Sequence, residues 1–274
     1  MTTPTSVPPA PERLGAAAPV LVGCSHGTND HTGRQVVRRI LDDVRAARPG
    51  LAVREAFVDV QQPEVADVVT SVVTADGGSG SAVVVPLLLS GGYHVEVDIA
   101  EAVADRDGRA GRAVATSALG PDHRLVDLLA HRLTEAGVRP HDAVVVAAAG
   151  SSRSGAASDV ERVAAGLRER HPGPVTVGYG AKAQPSVPDA VAAARAALAD
   201  SAGPESRDGD AVTPRVVVAA YLLAPGYFYD RVLEAGADVV TAPLGADPRI
   251  ASVVLDRYDM AAATLTVSVS DTAP

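Results

Sequence analysis

The sequence predicts an α/β fold of two duplicated, doubly wound parallel-sheet domains. Strand-length apolar runs alternate with amphipathic helical patterns along all 274 residues, and five of these segments recur in the same order in the second half. Alternating strands and helices imply right-handed crossovers, and therefore parallel sheets covered by helices. Ligands bind such sheets beyond the carboxyl ends of the strands. We therefore expect the functional site at that edge.

The first half contains four strand patterns, and a helical pattern follows each of them. The third run, SAVVVPLLLS, is continuously apolar, as expected for a strand buried on both faces. Pro63 suits the first turn of the second helix, and Gly137 suits the end of the fourth. The predicted strands are 18–24, 52–60, 81–90 and 113–119, and the predicted helices are 33–47, 63–75, one that begins at 94–98, and 122–137.

The series restarts at DAVVVAAAGSS, residues 142–152, and a Gln-Pro pair after the second strand recurs at 184–185. Five ordered correspondences indicate an internal duplication. We predict a disordered leader at 1–17, an N-terminal domain carrying a metal site at 18–138, a degenerate repeat at 139–261, and a tail at 262–274. We expect the tail to be loose or to add an edge strand.

Composition excludes several classes of protein. The net charge of −9 argues against a general nucleic-acid binder, which needs a basic face. No apolar run approaches the length of a membrane span, and residues 1–17 lack the order of a signal peptide. We therefore expect a cytoplasmic protein. Cys24 is the only cysteine, which excludes an intrachain disulfide and a multi-thiolate metal site.

Superimposing the halves isolates three positions, each at a strand end. The first half has a ligand-type side chain where the second has an apolar one: His26 against Ala149, Asp59 against Ala181, and His94 against Phe228. The neighbouring glycines recur in both halves. We therefore predict that the first half carries the functional site and that the second half supports it structurally.

Two imidazoles and a carboxylate suit a divalent transition metal with an open coordination position. Asp59 has three roles open to it: it binds the metal, orients a ligand histidine, or faces the substrate. The remaining histidines on helices and loops, including His171, have no partner spacing and are expected to be solvated. The chain has neither G-x-x-x-x-G-K-[ST] nor G-x-G-x-x-G after its first strand, so no ATP or dinucleotide site is expected.

Three stretches, LVGCSHGTND, AFVDVQQPEV and VVVPLLLSGGYHVEVDI, resemble class II tetrapyrrole chelatases, specifically the sirohydrochlorin chelatases. The resemblance extends from about Pro19 to Tyr258. It implies a chelatase-like fold and a lyase that inserts Fe²⁺ or Co²⁺ into sirohydrochlorin, for sirohaem or cobalamin biosynthesis among the porphyrin-related pathways. It also implies no cofactor beyond the substrate metal, and in particular no ATP.

The resemblance also implies roles for single residues. His26 would accept a pyrrole proton and bind the incoming metal, and His94 would be the second ligand. Asp59 stands where the family usually has glutamate, which leaves open whether it binds metal or substrate. The macrocycle cleft would be lined by Leu89, Ser90, Gly91, Gly92 and Tyr93.

Two alternatives stay open at this stage. A non-catalytic carrier of metal or tetrapyrrole would use the same ligands. Histidine phosphatases also have His-Gly at a first strand end, but they need an arginine to clamp phosphate where this chain has Ser25.

The partners expected are sirohydrochlorin and a divalent metal, with no nucleic acid and no membrane. Because the macrocycle carries many carboxylates, cationic side chains should line the cleft, and Arg34 and Arg38 are the candidates. A single chain can act as a monomer if the second half takes the place of a partner subunit.

Overall fold

Each half forms a four-stranded parallel sheet with the same strand order. The structure is a computed structural model that describes residues 18–75, 80–92, 94–104, 113–201 and 213–270. The orders are β2-β1-β3-β4 and β6-β5-β7-β8. The first sheet contains β1 (Val20–Ser25), β2 (Val53–Phe57), β3 (Ala82–Pro86) and β4 (Ala113–Ala115), and the second contains β5 (Ala143–Ala148), β6 (Val175–Tyr179), β7 (Val216–Ala220) and β8 (Val239–Val240). The predicted duplicated α/β fold is confirmed.

The helices follow the strands in the predicted order. Asp30 caps the first of them, where its Oδ1 accepts a hydrogen bond from the amide of Gly33 at 2.6 Å. No described helix is long and apolar enough to cross a membrane. The helices are α1 (His31–Ala47), α2 (Val65–Val73), a π-helical turn (His94–Ile99) continued by α3 (Ala100–Val103), α4 (His123–Glu135), α5 (Ser154–Arg168), α6 (Val187–Ser201), α7 (Tyr227–Leu233) and α8 (Pro248–Ser270).

The central strands are buried on both faces, as the continuous apolar runs predicted. Alternate residues of β1 point to opposite sides of the sheet: Leu21 joins a core shared by both halves, and Val22 joins an outer core under α2. In β5, Val144 joins the same shared core, and Val145 joins an outer core under α6. The described residues therefore form two outer cores and one central core.

The last helix of each half packs on the other half. Helix α4 follows the first sheet but contacts α5 and β7, and α8 follows the second sheet but contacts α1, β3 and β4. Leu125 and Leu129 of α4 and Ile250 and Val254 of α8 are buried in the shared core. Neither half can bury its apolar faces without a helix from the other. The predicted limits between the halves mark the repeated unit of the sequence. That they also bound domains stays a prediction.

Two expectations from the sequence differ from the structure. The tail does not begin as a loose segment or an edge strand, because α8 continues to Ser270. The alanines at 261–263 favour helix, and Leu265 is buried in the shared core. The ring of His171 is buried rather than solvated, and its Nε2 donates to the carbonyl oxygen of Asp142 at 2.8 Å.

Asp142 ties three segments of the second half together at the start of β5. Its carboxylate is buried and accepts hydrogen bonds from the amides of Arg139 and Arg215, both at 2.9 Å. The Arg215 guanidinium adds an ion pair at 2.7 Å. Burial alone would raise the pKa of Asp142, but the hydrogen bonds from Arg215 and Arg139 outweigh it and hold the pKa well below the ordinary value.

We expect Asp142→Asn to lower the free energy of unfolding by about 3 kcal/mol at neutral pH, because it removes the buried carboxylate charge that pairs with the partly exposed guanidinium groups of Arg139 and Arg215. Urea denaturation measures this. Asp42→Asn is the control, since Asp42 forms an exposed pair with Arg45, and it should cost less than about 0.5 kcal/mol.

The same pair of proteins gives a pH test. Since the folded-state pKa of Asp142 is lowered, its stabilisation is complete above the unfolded-state pKa of about 4 and is lost as the pH falls through the folded value. The difference between wild type and Asp142→Asn should therefore be constant from about pH 5 to 7 and shrink below about pH 4. A difference that does not change with pH would contradict this assignment.

Candidate functional site

A cleft of about 660 Å³ lies between the halves, at the carboxyl ends of both sheets. This is the edge at which parallel sheets bind ligands. The residues that follow β1, β3, β5 and β7 line it, so each half contributes one wall. The lining segments are 25–30, 87–92, 148–152 and 221–229, together with Gly33, Val37, Val160 and Ala181, and with exposed Val60 and Lys182 at the rim.

His26 lies in the cleft immediately after β1 and is partly buried. Its Nδ1 is 3.3 Å from the carbonyl oxygen of Gly27. In a neutral ring this contact favours the tautomer with hydrogen on Nδ1 and the lone pair on Nε2. The ring can therefore present Nε2 as a metal ligand or a base.

The glycine after each first strand recurs for a geometric reason. Gly27 and Gly150 have φ values of 90° and 88°, in the left-handed region. A Cβ on Gly27 would lie 2.6 Å from the carbonyl oxygen of Asp59, and one on Gly150 would meet that of Ala181. The scaffold of the site is thus duplicated, although its side chains are not.

Asp59 is close to His26 through the backbone. Its amide donates to the His26 carbonyl at 3.2 Å, while its own Oδ1 accepts from the amide of Val60 at 2.7 Å. The side chain is exposed and is not among the described residues that line the cleft. Its predicted contact with metal or substrate stays a prediction.

The segment after β3 carries most of the other predicted site residues. Leu89, Ser90, Gly91 and Gly92 line the cleft. Tyr93 lies outside the described residues. His94 is the first residue of the π-helical turn, and its side chain lies outside the part that the structure describes.

The second half holds this segment in place. The hydroxyl of Tyr221 donates to the carbonyl oxygen of Leu89 at 2.9 Å, and Oδ2 of Asp159 accepts from the amide of Gly91 at 2.8 Å. Gly120 packs against the Tyr221 hydroxyl and the Leu89 carbonyl oxygen so closely that a Cβ on Gly120 would clash with both atoms. Burial, with a smaller effect from nearby acidic groups, raises the pKa of Tyr221, so it stays a neutral donor. We call these bonds the cross-half clamp.

Cys24 is not a thiolate ligand. Burial, with a smaller effect from the charge of Asp98, raises the pKa of its thiol to about 12. The prediction that it acts as a small apolar group agrees with its place in the outer core under α2. Among the described side chains, no three of His, Cys, Asp and Glu gather as a metal site. His94 belongs to the predicted ligand set, but its side chain is not among the described side chains.

The arginines proposed from the sequence do not face the cleft. Arg34 donates through Nε to the carbonyl oxygen of Thr28, a lining residue, at 2.8 Å. Arg38 lies 3.9 Å from Glu55 on the exposed side of α1. Neither is among the described residues that line the cleft.

Sequence reasoning missed four residues of this region. Val60 and Lys182 line the cleft from equivalent turns of the two halves. Lys182 is the only lysine in the chain, and this could have marked it as a candidate site residue. Tyr221 and Asp159 form the clamp, but only the packing of the two halves brings them to 87–92. No local pattern marks either of them.

The CbiX family model matches the chain twice, over residues 20–136 and 143–261. SirB from Bacillus subtilis with Fe³⁺ is 22% identical, with a TM-score of 0.70, and the alignment covers 90% of this chain and 96% of that chain. SirB from Bacillus subtilis subspecies spizizenii in complex with cobalt is 19% identical, with the same coverage and a TM-score of 0.68.

A third structure, that of CbiX, the terminal enzyme for biosynthesis of siroheme in denitrifying bacteria, is 20% identical, with a TM-score of 0.58. It covers 88% of this chain and 98% of its own. No curated protein sequence matches the chain. The TM-scores show that these three solved structures share the fold of this chain.

Breaking the clamp should loosen segment 87–92. We expect Tyr221→Phe and Asp159→Ala each to speed hydrogen exchange in that segment roughly tenfold, because each removes one anchoring bond. Exchange followed by NMR or mass spectrometry measures this. Glu161→Ala on the same helix as Asp159 removes an exposed pair with Arg168 and should leave the segment unchanged. Equal protection in all four proteins would contradict the clamp.

Proposed function

The chain belongs to the CbiX family, and from that premise we propose that it inserts a divalent metal, Fe²⁺ or Co²⁺, into sirohydrochlorin. The observation that carries the proposal is the family match across both halves, with His26 in a cleft between them. Two structures with this fold are SirB with Fe³⁺ and SirB in complex with cobalt. They support these two metals as substrates.

The residue roles are part of the proposal. His26 accepts a proton from a pyrrole nitrogen and binds the incoming metal, and His94 is the second ligand. Asp59 supplies a negative charge beside them, toward the metal or the substrate. The position of His26 and Asp59 at adjacent strand ends, joined by a backbone hydrogen bond, supports this assignment.

The chemistry needs three things from the chain. Metallation strips water from a divalent ion, holds it at an open site, and removes two pyrrole protons. Imidazole can do the second and third of these near neutral pH. Gly91 and Gly92, which have no side chains, let a flat macrocycle approach the backbone of the cleft wall.

The cleft suits a large, flat and partly apolar ligand. Its volume of about 660 Å³ lies within the range of small-molecule sites. Two of its lining residues, Val60 and Tyr227, keep 45% and 69% of their surface exposed. Exposed apolar groups on opposite walls are explained if a macrocycle packs between them.

The proposal also covers the cellular setting of the reaction. Metal binding and proton removal need no phosphate bond, so the chain works without ATP or another cofactor. One chain holds both walls of the cleft, so a monomer is sufficient. The reaction takes place in the cytoplasm and feeds sirohaem or cobalamin synthesis.

Metal insertion followed by visible absorption tests the function. We expect wild type to accelerate insertion of Fe²⁺ or Co²⁺ into sirohydrochlorin, and His26→Ala and His94→Ala each to lower kcat at least about 100-fold. Two variants should keep activity within about twofold: His31→Ala, which removes an exposed histidine of α1, and Phe228→Leu, which changes the counterpart of His94.

Other results would identify the alternatives. Wild type that binds sirohydrochlorin without accelerating insertion would be a carrier. Hydrolysis of a phosphate ester that depends on His26 would identify a phosphatase, although Ser25 offers no positive charge for phosphate.

A further inference from the structure

We propose that Lys182 binds a carboxylate on the rim of the macrocycle and thereby orients the substrate from the second half of the chain. The inference rests on the proposed function and adds to it a residue that determines specificity. It assigns a binding role to the half that lacks the predicted metal ligands.

The charge distribution of the cleft is the first argument. Lys182 is the one lysine or arginine among the described residues that line it. Within the described ranges Lys182 forms no hydrogen bond or ion pair, whereas the carboxylate of Asp30, which also lines the cleft, accepts a hydrogen bond from the Gly33 amide. An unpaired ammonium group at the rim of a cleft is ready to bind an anion.

The composition of the chain strengthens this argument. The chain has 24 basic residues and a net charge of −9, so its overall field repels a polyanionic substrate. A local cation at the cleft is then needed to offset that repulsion where the substrate docks. With Arg34 and Arg38 turned away, Lys182 is the described residue that meets this need.

The backbone is the second argument. Lys182 has φ 59°, and Val60, at the equivalent turn of the first half, has φ 52°; these are the two non-glycine residues with positive φ in the described chain. The turn is fixed on one side by the Ala181 amide, which donates to the Ala149 carbonyl at 2.9 Å. Strained residues held by their surroundings are concentrated at functional sites.

The two turns give the cleft opposite properties on its two walls. On the first wall the turn carries exposed, apolar Val60, which suits the face of a macrocycle. On the second wall the equivalent turn carries the exposed cationic side chain of Lys182, and exposed Tyr227 lines the same wall. A long ammonium side chain with three rotatable donors can follow carboxylates on flexible arms.

Substrate titration tests the assignment. In metal-insertion assays we expect Lys182→Met to raise KM for sirohydrochlorin about tenfold and to leave kcat within about twofold, because the lost interaction is made equally in the ground and transition states. Binding of metal-free sirohydrochlorin, followed by absorbance, should weaken by the same factor. Lys182→Arg should restore most of the affinity.

Two controls separate charge at the site from other effects. Arg39→Met removes one positive charge from the exposed face of α1 and should leave KM unchanged. Lys182→Gly relieves the left-handed backbone and should raise the melting temperature while still raising KM about tenfold. The KM of wild type should also rise with salt more steeply than that of Lys182→Met.

The outcomes distinguish this inference from the proposed function. If wild type inserts metal and Lys182→Met has the wild-type KM and affinity, the assignment of Lys182 is overturned and the chelatase proposal stands. If wild type inserts no metal but Lys182→Met weakens sirohydrochlorin binding, the chelatase proposal fails and the carboxylate site stands. An equal rise in KM for Arg39→Met would also overturn the assignment, because net charge would then explain it.

Discussion

The exchange of the last helices is the constraint on which the rest of the structure depends. Helix α4 packs on the second half and α8 packs on the first, so one apolar core joins both sheets. Burial of that core fixes the distance and orientation of the two sheets. Their carboxyl ends then face each other across one cleft. A ligand in that cleft meets a wall from each half.

Within this frame the two halves have diverged in chemistry while keeping geometry. Gly27 and Gly150 keep the same left-handed turn against the neighbouring loop. The first half keeps His26 at that turn, and the second half supplies Tyr221 and Asp159, which hold segment 87–92. A duplicated half that loses its ligand-type side chains can still position those of its partner.

The sequence predicted what local periodicity encodes. Alternating apolar runs indicated the two parallel sheets, and comparing the repeats indicated His26 and the position of the cleft. Contacts between distant segments have no local pattern, so the helix exchange and the pairing of Tyr221 with Leu89 could not be predicted. The prediction that arginines of α1 line the cleft was wrong. Helical spacing predicts which residues share a face of a helix, but it does not predict what that face contacts. Arg34 donates a hydrogen bond to the backbone of Thr28 instead. The sequence shows that Lys182 is the only lysine, but nothing in it indicates the turn that places Lys182 in the cleft lining.

The central claim is that a two-half scaffold carries one metal site, in the first half. Titration of the metal-free chain with Co²⁺, followed by d–d absorption and isothermal calorimetry, tests it most directly. The account predicts one Co²⁺ per chain with imidazole ligands, and loss of that site in His26→Ala. Two equivalents per chain, or one equivalent that His26→Ala retains, would contradict it.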